Sequence, residues 1–161
     1  MDLKTLCEMQ GLPGREEKVR RAVYDLCVKA FGKDAVTLDG LGSVIATRKG
    51  THAKKPRVML AAHMDEVGLM VVSATEEGLL RFRALGGVDS RVLVSKRVRV
   101  GYDTPEKPSL PGVIGAMAIH QQTAEDRKAV LPVEQLYIDI GAKDKAEAER
   151  LAPAGTLVTF D

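Results

Sequence analysis

RVMLAAHMDEVGLMV, residues 57–71, decides the fold. Its first half, RVMLAAHM (57–64), is apolar almost throughout and does not alternate. A strand covered on both faces has this pattern, because neither face needs polar side chains. The run therefore predicts a central strand of an α/β sheet. Two polar groups, His63 and Asp65, stand two apart where the run ends. Beyond Gly68 the character changes. VGLMVVSAT (67–75) and LLRFRALG (79–86) flank the turn EEG (76–78), which predicts a hairpin.

Upstream of this stretch the periodicity is helical. Leu3, Leu6 and Cys7 follow i, i+3, i+4 spacing behind Asp2 as cap, predicting a short helix that ends at Gly11. Pro13-Gly14 breaks the chain. Val19, Ala22, Val23, Leu26, Cys27, Ala30 and Phe31 then form an apolar stripe closed by Gly32. The charged run Arg15 to Arg21 is the solvated face of that helix. AVTLD (35–39) and SVIATR (43–48) are short strands that turn at Asp39-Gly40. KGTHAKKP (49–56) is a polar loop, with His52 a surface residue.

Downstream, strand-like pieces follow at short spacing: VLVSKRVRVG (92–101), GVIGAMAIH (112–120), QLYIDIGA (135–142) and TLVTFD (156–161). HQQTAEDRKAVLP (120–132) is a polar loop. KAEAERL (145–151) is the one expected helix here, with Asp144 and Glu147 placed as a capping box. The chain thus divides near residue 67 into an α/β beginning (1–67) and a β-rich module (68–161).

Composition narrows the function classes. Twenty-four Lys and Arg against 22 Asp and Glu leave a net charge of +2, spread along the chain, which argues against nucleic acid. There is no Trp and few aromatics, so base-stacking platforms are not expected. MDLKTLCEMQ lacks the basic and apolar regions of a signal peptide. No apolar stretch approaches the roughly 20 residues of a membrane helix. Cys7 and Cys27 fall on apolar helix faces and read as buried free thiols. A soluble cytoplasmic protein is expected.

His63 and Asp65 carry the chemistry. Side chains two apart on a strand point to one side, and open α/β sheets place ligands beyond the carboxyl ends of their strands. Imidazole is a good ligand for zinc or cobalt, and a nearby carboxylate can hold its other ring nitrogen. The same pair also suits a base and its orienter. The spacing equally suits a hydrogen-bonded histidine at a strand end beside a turn-capping aspartate. GxSxG, Walker A, HExxH and paired CxxC motifs do not occur.

The wider string is more specific. AAHMDEVGLMV (61–71), preceded by LPGREEKVRRAV and LDGLGSVIATRKG, resembles the N-terminal part of the M42 metallo-aminopeptidases, the glutamyl and TET-type enzymes sometimes labelled endoglucanases. The resemblance continues through LGGVDSRVLVSKRVRV, GVIGAMAIH and LYIDIGAKDKAEAERLAPAGTLVTFD. It implies the start of a zinc-peptidase-like α/β catalytic domain with an inserted β-barrel or PDZ-like domain that mediates dimer contacts. It implies removal of N-terminal residues from peptides with two zinc or cobalt ions about 3.5–4 Å apart. It implies a homo-oligomer, a dimer up to a dodecamer.

By position, His63 matches the family's first metal ligand, and Asp65 the carboxylate that orients it. The remaining ligands of the family have no counterpart in 1–161, and a catalytic zinc site usually needs three protein ligands. His120, Asp65 and Asp139 are the local candidates to complete it. His120 reads as a loop histidine, and Asp139 as the exposed face of a strand. Glu66 points away from Asp65 and has no assigned chemistry. The resemblance therefore implies an incomplete active site, inactive by itself, and a complementary C-terminal half that supplies the rest. Two other readings are a non-catalytic assembly module built on the β-domain and a mononuclear hydrolase using His63, Asp65 and one more local ligand. In either case the apolar strand 57–62 would need a partner to cover it.

Overall fold

The computed structural model describes residues 2–52, 57–125 and 127–161. The chain forms two compact units, Met1–Glu66 and Val67–Asp161.

In the first unit, helix α1 (Leu3–Cys7) starts where Asp2 caps it, accepting from the Thr5 amide at 2.8 Å. It closes at Cys7 rather than running to Gly11. A helix this short has little cooperativity of its own, and the residues beyond it, Gln10 to Leu12, are buried as an irregular segment. Helix α2 (Glu17–Phe31) buries Val19 and Ala22 and ends at Gly32, whose φ of 86° suits glycine. Strands β1 (Val36–Leu38) and β2 (Val44–Ala46) pair antiparallel, Val36 opposite Ala46. Asp39 shapes their turn by accepting from the amides of Leu41 and Ser43 at 2.9 and 2.8 Å.

The central strand expected over 57–64 does not form. That segment has no strand assignment, and Val58, Met59 and Leu60 are 82, 87 and 94 % exposed. Hydrophobicity specifies that a segment gains by burial, but a strand exists only through hydrogen bonds to neighbouring strands. Among the described residues, β1 and β2 pair only with each other. The two cysteines also depart from expectation. Both are free, but Cys7 is exposed and Cys27 only half-buried. Helix α1 buries none of its residues, and the stripe of α2 is buried at Val19 and Ala22 but open at Leu26 and Phe31.

The second unit is a closed barrel of six antiparallel strands. They are β3 (Gly68–Ala74), β4 (Leu80–Leu85), β5 (Arg97–Val100), β6 (Leu110–Gly115), β7 (Tyr137–Asp139) and β8 (Leu157–Phe160), in the order β3-β4-β7-β6-β5-β8. Inward residues alternate along the strands, as in Val98 and Val100 of β5. Leu69, Val71, Leu80, Phe82, Ile114, Leu136, Ile138 and Val158 fill the interior with hardly any exposure. Gly112 is small because a Cβ there would lie 2.8 Å from Ile138 Cγ2 on the neighbouring strand β7. Strand β5 is shorter than the sequence pattern predicts. A 3₁₀ turn over Ser90–Val92 and the positive φ of 69° at Ser95 interrupt its first half. Helix α3 (Lys145–Leu151) packs Ala148 into the core. Asp144 caps its Glu147 amide at 2.8 Å, while the Glu147 carboxylate reaches one residue further back, to the Lys143 amide at 3.0 Å. The fold is mixed α/β with a six-stranded barrel.

Candidate functional site

His63 and Asp65 do meet, by a different route from the pleat of a strand. In this irregular segment the imidazole Nδ1 lies 2.8 Å from the Asp65 backbone carbonyl oxygen and 3.1 Å from its carboxylate Oδ1. Both partners are acceptors. Nδ1 therefore carries the hydrogen, and in the neutral imidazole Nε2 presents the lone pair. The histidine side chain is 84 % exposed, which leaves that lone pair accessible. An imidazole held in this tautomer is arranged to donate to a metal ion through Nε2 or to accept a proton there.

The segment is anchored at Glu66. Its amide donates to the Gly11 carbonyl at 2.7 Å, and its carboxylate accepts from the Gly11 amide at 3.4 Å. Gly11 lies in the buried turn between α1 and α2, and the Cβ that an alanine would add there meets Val19 Cγ2 at 2.8 Å. Sequence reasoning left Glu66 without a task because alternation along a strand turned it away from Asp65. The contact joins residues 55 apart, and local pattern carries no signal for it.

The other candidates do not complete a site. His120 lies in a 3₁₀ turn, Ile119–Gln121, and is exposed. Asp139, on the exposed face of β7, caps its own turn by accepting from the Gly141 amide at 2.8 Å. Among the described residues, no group of three His, Cys, Asp or Glu side chains is placed to hold a metal ion. The donor set therefore fits one arm of a metal site, His63 with its orienting partner, and not a whole one. A close charge pair lies elsewhere, between Arg91 and Asp89. Hydrogen bonds from the Arg91 side chain and amide hold the Asp89 carboxyl down to about 2, at the cap of the 3₁₀ turn before β5.

Solved aminopeptidases have this fold. A TET aminopeptidase from the marine sediment archaeon Thaumarchaeota archaeon SCGC AB-539-E09 superimposes with a TM-score of 0.82 at 34% identity, over 98% of this chain and 42% of that one. The TET1 peptidase of Pyrococcus horikoshii, described as assembling into a tetrahedron or a large octahedral shell, matches with a TM-score of 0.74 at 34% identity, over 99% of this chain and 45% of the other. In sequence, the lysyl aminopeptidase of Pyrococcus furiosus is 34% identical over 98% of this chain and 44% of its own length. The family model of the M42 glutamyl aminopeptidases matches residues 42–161, and the chain belongs to that family. It spans less than half the length of these relatives. Among the described residues, no helix is long and apolar enough to cross a membrane.

Proposed function

We propose that residues 1–161 form the N-terminal portion of a metal-dependent aminopeptidase that removes N-terminal residues from peptides. The observation that carries this reading is the His63–Asp65 pair, with Nδ1 tied and Nε2 open, in a chain of the M42 family. In this reading His63 is a ligand of one of two divalent ions, zinc or cobalt, and Asp65 orients it. The ions would supply a polarised carbonyl and an activated water. What this chain's residues contribute is the tautomer and direction of one imidazole. Residues 1–66 are then the start of the catalytic domain, and the barrel is an inserted dimerisation domain of a cytoplasmic homo-oligomer. The remaining ligands belong to a complementary C-terminal half.

The test is hydrolysis of aminoacyl p-nitroanilides with added zinc or cobalt, after the intact mass and every co-purifying polypeptide have been recorded. The 161-residue chain alone should release no p-nitroaniline. A preparation that includes the complementary half should turn over and should lose activity with His63→Ala. Turnover by the isolated chain overturns the incomplete site. Full activity of the His63→Ala assembly overturns the ligand role.

A second reading, an assembly module without catalysis, draws on the barrel itself. Its hydrogen-bonded circuit and core are self-contained, and a relative of the same fold is described as assembling into a tetrahedron or a large octahedral shell.

A further inference from the structure

The Asp65–Glu66 peptide group has both of its ends engaged. Its N–H, on Glu66, donates to the Gly11 carbonyl at 2.7 Å. Its C=O, on Asp65, faces His63 Nδ1 at 2.8 Å. In a trans peptide these two bonds point in opposite directions within one rigid plane. Fixing the N–H therefore fixes the direction of the C=O. The result is a relay, from Gly11 C=O to the 65–66 peptide to His63, in which each hydrogen bond polarises the next. The peptide carbonyl is also the nearer of the two acceptors at Nδ1, since the Asp65 carboxylate stands at 3.1 Å.

We infer that Gly11 is the positioning residue of His63, acting through the Asp65–Glu66 peptide, and that this peptide carbonyl selects the Nδ1–H tautomer. The inference rests on the reading of His63 as a functional imidazole and extends it to the part of the chain that aims it. Three features of the turn agree. Gln10 and Leu12, on either side of Gly11, are buried, so the carbonyl is held by a packed segment. The Glu66 carboxylate returns to the Gly11 amide at 3.4 Å, which ties the same two residues a second time. Gly11 also sits so close to α2 that an added Cβ would lie 2.8 Å from Val19 Cγ2 and 3.4 Å from the Met64 carbonyl oxygen. A side chain at residue 11 therefore presses on the helix on one side and on the His63–Glu66 segment on the other.

The relay answers a problem set by the neighbouring chain. Residues 58–60 are almost fully exposed and belong to no strand, so they give His63 no rigid support from upstream. From Met64 to Glu66 the chain is half-buried, and this is where Gly11 holds it. The imidazole direction is thus set from the downstream side.

The test is the tautomer of His63, read from long-range 1H–15N correlations of the imidazole in the labelled 161-residue chain, with His63→Gln used to assign its signals. Wild type should show the shifts of an imidazole protonated at Nδ1. Gly11→Ala should move them toward the mixed-tautomer average of a free imidazole. Gly11→Ala combined with Val19→Ala, which removes the obstructing methyl, should restore the wild-type shifts, with Val19→Ala alone unchanged. Glu66→Pro, which deletes the N–H itself, should lose the preference even if Gly11→Ala folds poorly. A wild-type imidazole without the Nδ1–H preference overturns the inference, as does an unchanged tautomer in Glu66→Pro. These shifts are read without metal or substrate. Failure of the aminopeptidase reading would instead appear as an active His63→Ala assembly, with the tautomer result standing.

Discussion

At the scale of single residues, backbone conformation and close approach decide what each position tolerates. Gly78, in the turn between β3 and β4, has a φ of 84°, and a Cβ there would lie 2.6 Å from the Ala142 carbonyl oxygen and 3.1 Å from the Asp144 amide nitrogen. Those neighbours are backbone atoms and cannot rotate aside. Gly78→Ala should lower stability by at least about 2 kcal/mol, combining the left-handed cost with displacement of the 142–144 loop. Urea unfolding followed by circular dichroism measures this, and an unchanged midpoint would contradict the contact. The site is legible at this scale only in part. His63 and Asp65 stand out because two polar groups close an apolar run, and their meeting was expected. The main-chain carbonyl as the nearer partner was not, because no side-chain pattern reports which way a peptide plane faces. Gly11 is equally silent. Its sequence neighbours mark it as a helix terminator, whereas its closest constraints come from Val19 and Met64.

At the scale of elements, local signals suffice where an element needs no distant partner. Helix α2 follows from a dense apolar stripe and Gly32, and the β1–β2 hairpin from the Asp39 turn. Helix α3 follows from Asp144, although Glu147 closes on the Lys143 amide and so departs from the expected reciprocal box. Where an element needs a distant partner, the pattern misleads, as at 57–64. The 3₁₀ turn before β5 gives a pH prediction. The Arg91 side chain, then its amide, holds the Asp89 carboxyl at about 2, below the usual 3.8. A group whose pKa is lower folded than unfolded adds stability above its unfolded value and loses it as pH falls through its folded value. The Asp89 contribution should therefore be whole above pH 4 and fade between about 4 and 2. Asp89→Asn should be less stable than wild type at neutral pH, and the difference should shrink as the pH approaches 2. Thermal midpoints across that range test it, and a constant difference would refute it. The exposure of this pair keeps the effect small.

At the scale of the whole molecule, the two units differ in how completely each satisfies itself. The barrel pairs every strand with two neighbours and encloses an apolar core, and its most exposed apolar residues, Val92, Ile119 and Val130, lie in the connections between strands. The first unit leaves Leu38, Leu41, Ile45, Val58, Met59 and Leu60 exposed, several of them nearly fully. Monomeric soluble proteins rarely leave so many large apolar side chains open, and among the described residues 57–62 belong to no strand, which invites a partner. The 161-residue chain by itself should therefore associate as its concentration rises, through the first unit. Static light scattering should give a mass that increases with concentration, and Val58→Lys with Leu60→Glu should return it toward that of one chain. The barrel should be unaffected by this pair of substitutions, since neither residue belongs to it, and its strand signal in circular dichroism should persist. A constant monomer mass in wild type would mean that the exposed run is tolerated in water. Association that survives the double substitution would move the contact to the barrel, where the assembly reading puts it. The two surfaces are thus separable by one pair of mutations, and the result decides which unit brings copies of this chain together.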